Sequence, residues 1–213
     1  MPYFHSNDIH VLFLHVPKTG GTSIEEYLSA KYDIPLSPKS LYDFLPDDIQ
    51  TSHHLSITSS LQHMSYQTIH TNNHYFHVDF EHAQLITVVR NPYQRAISDL
   101  FFYHKMNKHT SPEEVYTLLQ SHIPHGIDNH TLPQYTFLVT DENNTLLPNL
   151  HILHTETLDE DMHALGYTDF QHRVQCNPTK VNYMDYLNHD SIRYLNTVYA
   201  RDFDMFQYPI LIP

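Results

Sequence analysis

Two short stretches hold the residue types that handle phosphate. The first is Pro17-Lys18-Thr19-Gly20-Gly21-Thr22-Ser23. Lys18 supplies a point charge, and Thr19, Thr22 and Ser23 supply hydroxyl donors. Gly20 and Gly21, half of the chain's four glycines, permit left-handed backbone angles and close approach to a ligand oxygen. The second stretch is Arg90-Asn91-Pro92-Tyr93-Gln94-Arg95-Ala96-Ile97-Ser98. An arginine fork plus a hydroxyl suits a phosphate monoester. Read alone, the first stretch is also compatible with a plain strand-to-helix turn, and the second with a turn bearing a solvated arginine.

These stretches need elements that hold them. Ile9 to Val16 is apolar nearly throughout, as expected for a strand covered on both faces. Ile24 to Leu28 has helical character, with Thr22 or Ser23 as its cap and Glu25-Glu26 in its first turn. Strand, glycine loop and helix, in that order, aim backbone N–H groups and a positive helix end at an anion. Leu85 to Val89 is a second strand, and Pro92 starts a helix over Tyr93 to Tyr103. Further helices are expected at Pro112 to His122, Leu158 to Leu165 (ended by Gly166) and Asp190 to Ala200 (capped by Asp190), and a short one opens at Ser65. Leu150 to His154 reads as a third parallel strand; Leu132 to Val139 fits a helix or a buried strand equally. Met1 to Asp8 reads as a lead-in, Ile34 to Asp48 as a proline-bearing loop, and Asn177 to Asn188 as polar loop.

Alternating strands and helices predict an α/β fold, with a parallel central sheet and helices on both faces, in one domain over residues 1–213. Ligands in such sheets sit beyond the carboxyl ends of the strands. Residues 17–23 and 90–98 both follow a strand's carboxyl end.

Composition narrows the function classes. The formal charge is −13, from 11 basic and 24 acidic residues. That disfavours broad electrostatic binding to nucleic acid or to a highly sulfated polymer, although Lys18, Arg90 and Arg95 can build a local basic pocket. The 20 histidines show no metal-ligand spacing, although His53-His54 offers an opportunistic pair. No metal is expected. Cys176 is the only cysteine, which leans towards a reducing compartment. No apolar run is long enough to span a membrane and no signal-peptide pattern opens the chain, so the expectation is a soluble, cytoplasmic protein.

The loop at 17–23 is not the nucleotide-triphosphatase loop, in which the lysine follows the last glycine. Pro-Lys-Thr-Gly-Gly-Thr-Ser resembles the 5′-phosphosulfate loop of sulfotransferases that use 3′-phosphoadenosine 5′-phosphosulfate (PAPS). Strand followed by Arg90-Asn91-Pro92-x-x-Arg95-x-x-Ser98 is similar to their 3′-phosphate motif. His154 to Asp161 and Tyr199 to Tyr208 resemble two further segments of the carbohydrate and heparan 2-O-type branch. The resemblance implies a P-loop-like three-layer fold. It implies that Lys18, Thr19, Gly20, Gly21, Thr22 and Ser23 hold the 5′-phosphosulfate, and that Arg90 and Ser98 hold the 3′-phosphate. It further implies transfer of a sulfuryl group from PAPS to a hydroxyl acceptor, a carbohydrate in that branch, with no metal.

Such transfer needs a base with a pKa near neutrality, which favours histidine. His63 is the first choice, because Gln62-His63-Met64-Ser65-Tyr66 resembles the catalytic-histidine context of 2-O-type enzymes; Gln62 replaces the usual glycine. His74 is the alternative, from its spacing to Asp79-Phe80. Two competing readings are an inactive nucleotide- or glycan-binding protein of the same fold and a nucleoside-phosphate kinase. Lys18 with a candidate base argues against the first, and the position of that lysine against the second.

Overall fold

The structure, a computed structural model, describes residues 2–6, 8–37, 41–140, 145–172 and 182–213. Cys176 and the first part of the loop expected at Asn177 to Asn188 lie outside the described residues. A four-stranded sheet has the order β1 (Tyr3–Ser6), β2 (Ile9–Leu14), β3 (Gln84–Val89) and β4 (Leu150–His154). β2, β3 and β4 run parallel, with Leu12 opposite Leu85 and Leu85 opposite Leu150. β1 was expected to be a lead-in. It pairs antiparallel with β2, Tyr3 opposite Leu12, as a short edge strand. Its four residues are too few and too polar for a hydrophobic pattern to reveal them.

The sheet has helices on both faces, the α/β architecture expected. Successive side chains of a strand point to opposite faces, and β2 feeds two cores accordingly. Leu12 and Leu14 join Met64, Ile69, Phe137 and Phe206 on one face. Val11 and Phe13 join Ile24, Leu28, Leu158 and Met162 on the other. These four β2 side chains are buried. Each contributes about 2 kcal/mol relative to exposure, which is why the strand has no polar face. A third core, around Tyr93, Ile97, Leu119, Leu195 and Phe203, binds the helices Pro92–Phe102, Pro112–His122 and His189–Val198 to one another.

Element boundaries hold closely, with corrections at the caps. α1 spans Gly21–Tyr32, and its cap is Gly20 at φ 90° rather than Thr22 or Ser23, which lie inside the first turn; the earlier start moves Glu25-Glu26 out of that turn. The His189–Val198 helix is capped by Asn188, whose side chain accepts from the Ser191 N–H, so Asp190 sits one step inside. Ser65 does cap Tyr66–Thr71, through its side chain and the Thr68 N–H. The ambiguous stretch Leu132 to Val139 is neither helix nor strand for most of its length. It forms a 3-10 turn at Gln134–Phe137, and Val139 makes a single bridge to Leu146.

Candidate active site

Three parallel strands end side by side, and the chemistry sits on the segments that leave them. Thr155, the first residue after β4, stitches the ends together: its hydroxyl lies 2.5 Å from the Thr19 carbonyl and 3.1 Å from the Val89 carbonyl. Thr19 is fully buried, and its own hydroxyl donates to the Val16 carbonyl at 2.8 Å. It therefore shapes the loop from inside. Gly20 takes a left-handed angle that other residues adopt only with strain. At Gly21 a β-carbon would stand 2.7 Å from His15 Nε2, so only glycine lets α1 begin this close to β2. Lys18 also has a positive φ, 67°, an uncommon conformation for a residue with a side chain.

Lys18 and Arg90 meet. The Arg90 guanidinium donates to the Lys18 carbonyl at 3.3 Å and lies 5.0 Å from the centre of the Tyr183 ring. Arg90 Nε is buried without a hydrogen-bond partner among the described residues. A buried, unpaired guanidinium N–H is costly, and an anion in the cradle would relieve it. The backbone of Arg90 is clamped by Gln134, whose amide both accepts from the Arg90 N–H (2.9 Å) and donates to its carbonyl (2.8 Å). Gln134 is held in turn by Asp202, which accepts the N–H groups of Gln134 and Tyr135. The C-terminal stretch Tyr199 to Tyr208 thus acts on the site from behind. Asp202 braces Gln134, and Tyr208 donates to Glu156, whose other oxygen accepts the Asn91 N–H.

Arg95 does not join a basic pocket. It is buried, and its guanidinium donates to the carbonyls of Pro17, Leu132 and His130 at 2.9, 2.9 and 2.6 Å. It ties the glycine loop to the 130–132 segment. Ser98 lies on the Pro92–Phe102 helix, half-buried. Thr22 is half-buried, and Ser23 is buried in the first turn of α1, its N–H donating to the Gly20 carbonyl.

The Lys18 ammonium stands 3.9 Å above the Phe102 ring, and burial pulls its pKa from 10.5 to about 8; Asp99 opposes that shift and Arg90 adds to it. Phe102 stacks on His130, and His130 meets His63 edge to face at 4.9 Å between ring centres. The point charge and the first-choice base are therefore linked by two rings. His63 is buried, and its Nδ1 is 2.6 Å from Asp128 Oδ2. Asp128 is held by the Ser60 N–H and hydroxyl, at 2.6 and 2.9 Å. Burial alone would raise the Asp128 carboxyl. The hydrogen bonds of His63 and Ser60, with the charge His63 carries when protonated, together outweigh that and hold it below the usual range, so it stays ionised and can only accept. The proton on His63 is thereby fixed on Nδ1, and neutral His63 presents Nε2 as a lone pair. Contrary to the near-neutral value expected of the base, burial lowers the His63 pKa to about 4, with Asp128 partly restoring it, so His63 is neutral at pH 7 but a weaker base than expected. His74, the alternative base, is exposed, and its Nε2 bonds the His53 carbonyl.

Asp128 is the partner of His63 that sequence reasoning missed. His63, Asp128 and His130 also offer ligand atoms within 4.8 Å of one another. Each is already engaged, His63 with Asp128 and His130 with Asp99, so the cluster reads first as a hydrogen-bonded network. Among the described residues, no helix is long and apolar enough to cross a membrane.

Searches of curated proteins and of solved structures returned no match. The sulfotransferase family model matches residues 1–209, a span that includes both phosphate-type loops, His63 and the C-terminal brace, and the chain belongs to the sulfotransferase family.

Proposed function

We propose that the chain, as one domain, transfers a sulfuryl group from PAPS to a hydroxyl of an acceptor, a carbohydrate by its resemblance to the 2-O-type branch. The observation that carries this reading is the meeting of the two motifs: Arg90 bonded to the Lys18 backbone, with a buried guanidinium N–H left for an anion. Residues Lys18 to Ser23 would hold the 5′-phosphosulfate on the N-terminus of α1, and Arg90 with Ser98 would hold the 3′-phosphate. PAPS supplies the sulfuryl group and leaves as 3′-phosphoadenosine 5′-phosphate.

In this reading each side chain has one task. Lys18 stabilises charge that builds on the departing phosphate oxygen. His63 Nε2 takes the acceptor's hydroxyl proton while Asp128 holds the ring in the required tautomer. One sulfur–oxygen bond to phosphate breaks, one to the acceptor forms, and the proton rests on His63. Arg95 and Thr155 keep the loops in place and touch no reacting atom. His63 is preferred to His74 because only His63 combines burial, an orienting carboxylate and ring contacts leading to Lys18.

The test is calorimetric binding of 3′-phosphoadenosine 5′-phosphate to the wild type and to Arg90→Ala, followed by its release from PAPS with acceptor present. Tight binding lost in the variant, with release dependent on acceptor, supports the reading. Binding without release would favour the inactive nucleotide-binding alternative, and absence of binding would sink both.

A further inference from the structure

Of the three cations expected at the site, Lys18 is held differently from the other two. The Arg95 guanidinium is taken up by three carbonyls, and the Arg90 guanidinium donates to one. The Lys18 ammonium makes no hydrogen bond and no ion pair among the described residues. Its contact is the Phe102 ring, whose centre is 3.9 Å away.

Burial works against the Lys18 charge, and the groups that face it act through space. Asp99, on the same helix as Phe102, favours the charge; Arg90, just past the end of β3, disfavours it. Both Asp99 oxygens are bonded, to His122 and His130, and neither forms an ion pair with the ammonium. His130, from the 130–132 segment, stacks on the Phe102 ring at 5.2 Å between centres. Asp99 thus fixes His130, His130 backs Phe102, and Phe102 carries the ammonium.

A ring at this place has a chemical consequence. A carboxylate would hold the ammonium too, but it would cancel the charge and compete with an arriving anion. An aromatic face attracts a cation through its quadrupole, with no net charge and no proton to exchange. Phe102 is the last residue of the Pro92–Phe102 helix and is 53% exposed. A ring that exposed adds little to core packing, so its contact with Lys18 is its main engagement with the site.

We propose that Phe102 is a positioning residue for Lys18: its ring holds the ammonium at the glycine loop as a charged, unpaired group until the donor's phosphosulfate takes it over. The inference rests on the sulfuryl-transfer reading and adds a residue that touches no reacting atom.

The test is a series at one position, Phe102→Leu, Phe102→Tyr and Phe102→Trp, made in the full chain with carbon-13-labelled lysine. NMR titration of the Lys18 ε-carbon follows its charge. Calorimetry with 3′-phosphoadenosine 5′-phosphate follows the site. In the wild type the ε-protons should be shifted upfield by the ring, with a midpoint of about 8. Phe102→Leu should abolish the upfield shift and lower the midpoint by about half a unit, because the charged form loses its partner. Nucleotide affinity should then fall about threefold above pH 8 and hardly at all at pH 6. Phe102→Tyr should restore both readouts, and Phe102→Trp should raise the midpoint above that of the wild type. A wild-type Lys18 without the upfield shift, an unmoved midpoint in Phe102→Leu, or a midpoint in Phe102→Tyr as low as in Phe102→Leu would overturn the positioning role and leave the donor reading standing. Failure of the nucleotide to bind the wild type would instead remove the donor reading, and this inference with it.

Discussion

Two histidine–aspartate pairs lie next to each other in this molecule, alike in geometry and different in setting. His63 Nδ1 is 2.6 Å from Asp128, and His130 Nδ1 is 2.7 Å from Asp99. Asp99 is sealed: its second oxygen is 2.7 Å from His122 Nε2, and the void beside it is about 10 Å³, room for no more than one water. Burial alone would raise Asp99, but hydrogen bonds from His122 and His130, with the charges of His130 and Arg95, hold it well below the usual carboxylate range. Asp128 serves one histidine and sits on a loop residue with φ 55°. The difference teaches what separates a scaffold from a tool. A carboxylate shared by two buried histidines locks three elements together. A carboxylate held by Ser60 and bonded to one ring fixes a tautomer, and the proposed reaction uses the far nitrogen.

The comparison breaks if both pairs respond alike to substitution. His63→Ala has the largest expected effect, a fall of about 10³ in turnover, equivalent to roughly 4 kcal/mol. Affinity for 3′-phosphoadenosine 5′-phosphate should not change. Near-normal turnover would transfer the role to His74. Next comes Asp99→Asn, which leaves buried imidazoles poorly matched and should cost about 3 kcal/mol of stability, read as a lower urea midpoint. An unchanged midpoint would remove Asp99 from the scaffold. Asp128→Asn should do the reverse, lowering turnover about thirtyfold, near 2 kcal/mol, with the urea midpoint almost unmoved. Loss of stability without loss of turnover would make Asp128 a second scaffold group.

The His63–Asp128 pair was less legible in the sequence than the sheet that carries the site. The strands at Leu85 to Val89 and Leu150 to His154 were readable because buried parallel strands leave continuous apolar runs. The glycine loop was readable because its chemistry is packed into seven consecutive residues. Asp128 left no such trace. It is 65 residues from His63, on a loop with no periodicity, and nothing local marks it as a partner. Arg95 shows the opposite failure. It was expected to join Lys18 and Arg90 in a local basic pocket, yet the carbonyls of Pro17, His130 and Leu132 satisfy its guanidinium. Residue type announces what a side chain can bind; only the packed chain decides whether a backbone has already claimed it.

The finest test of the comparison is the pH profile, because Asp128 acts on the proposed base and Asp99 on the proposed charge stabiliser. The acid limb of kcat/KM should follow His63, whose lone pair is lost as pH falls through about 4. The basic limb should follow Lys18, whose charge is lost as pH rises through about 8. Asp128, His15 and His130 act on His63. Asp128 raises its pKa and the two histidines lower it. Asp99 and Arg90 act on Lys18, the first raising its pKa and the second lowering it. Asp128→Asn removes an upward influence on the base, so the acid limb should move to lower pH while the basic limb stays. Asp99→Asn removes an upward influence on the ammonium, so the basic limb should move to lower pH. Each displacement should be under about one unit, since burial is the larger cause in both groups. Profiles of the two variants, taken well below their melting temperatures, separate the pairs if the limbs move independently. Movement of both limbs in either variant would mean that the two histidine–aspartate pairs titrate as one coupled network.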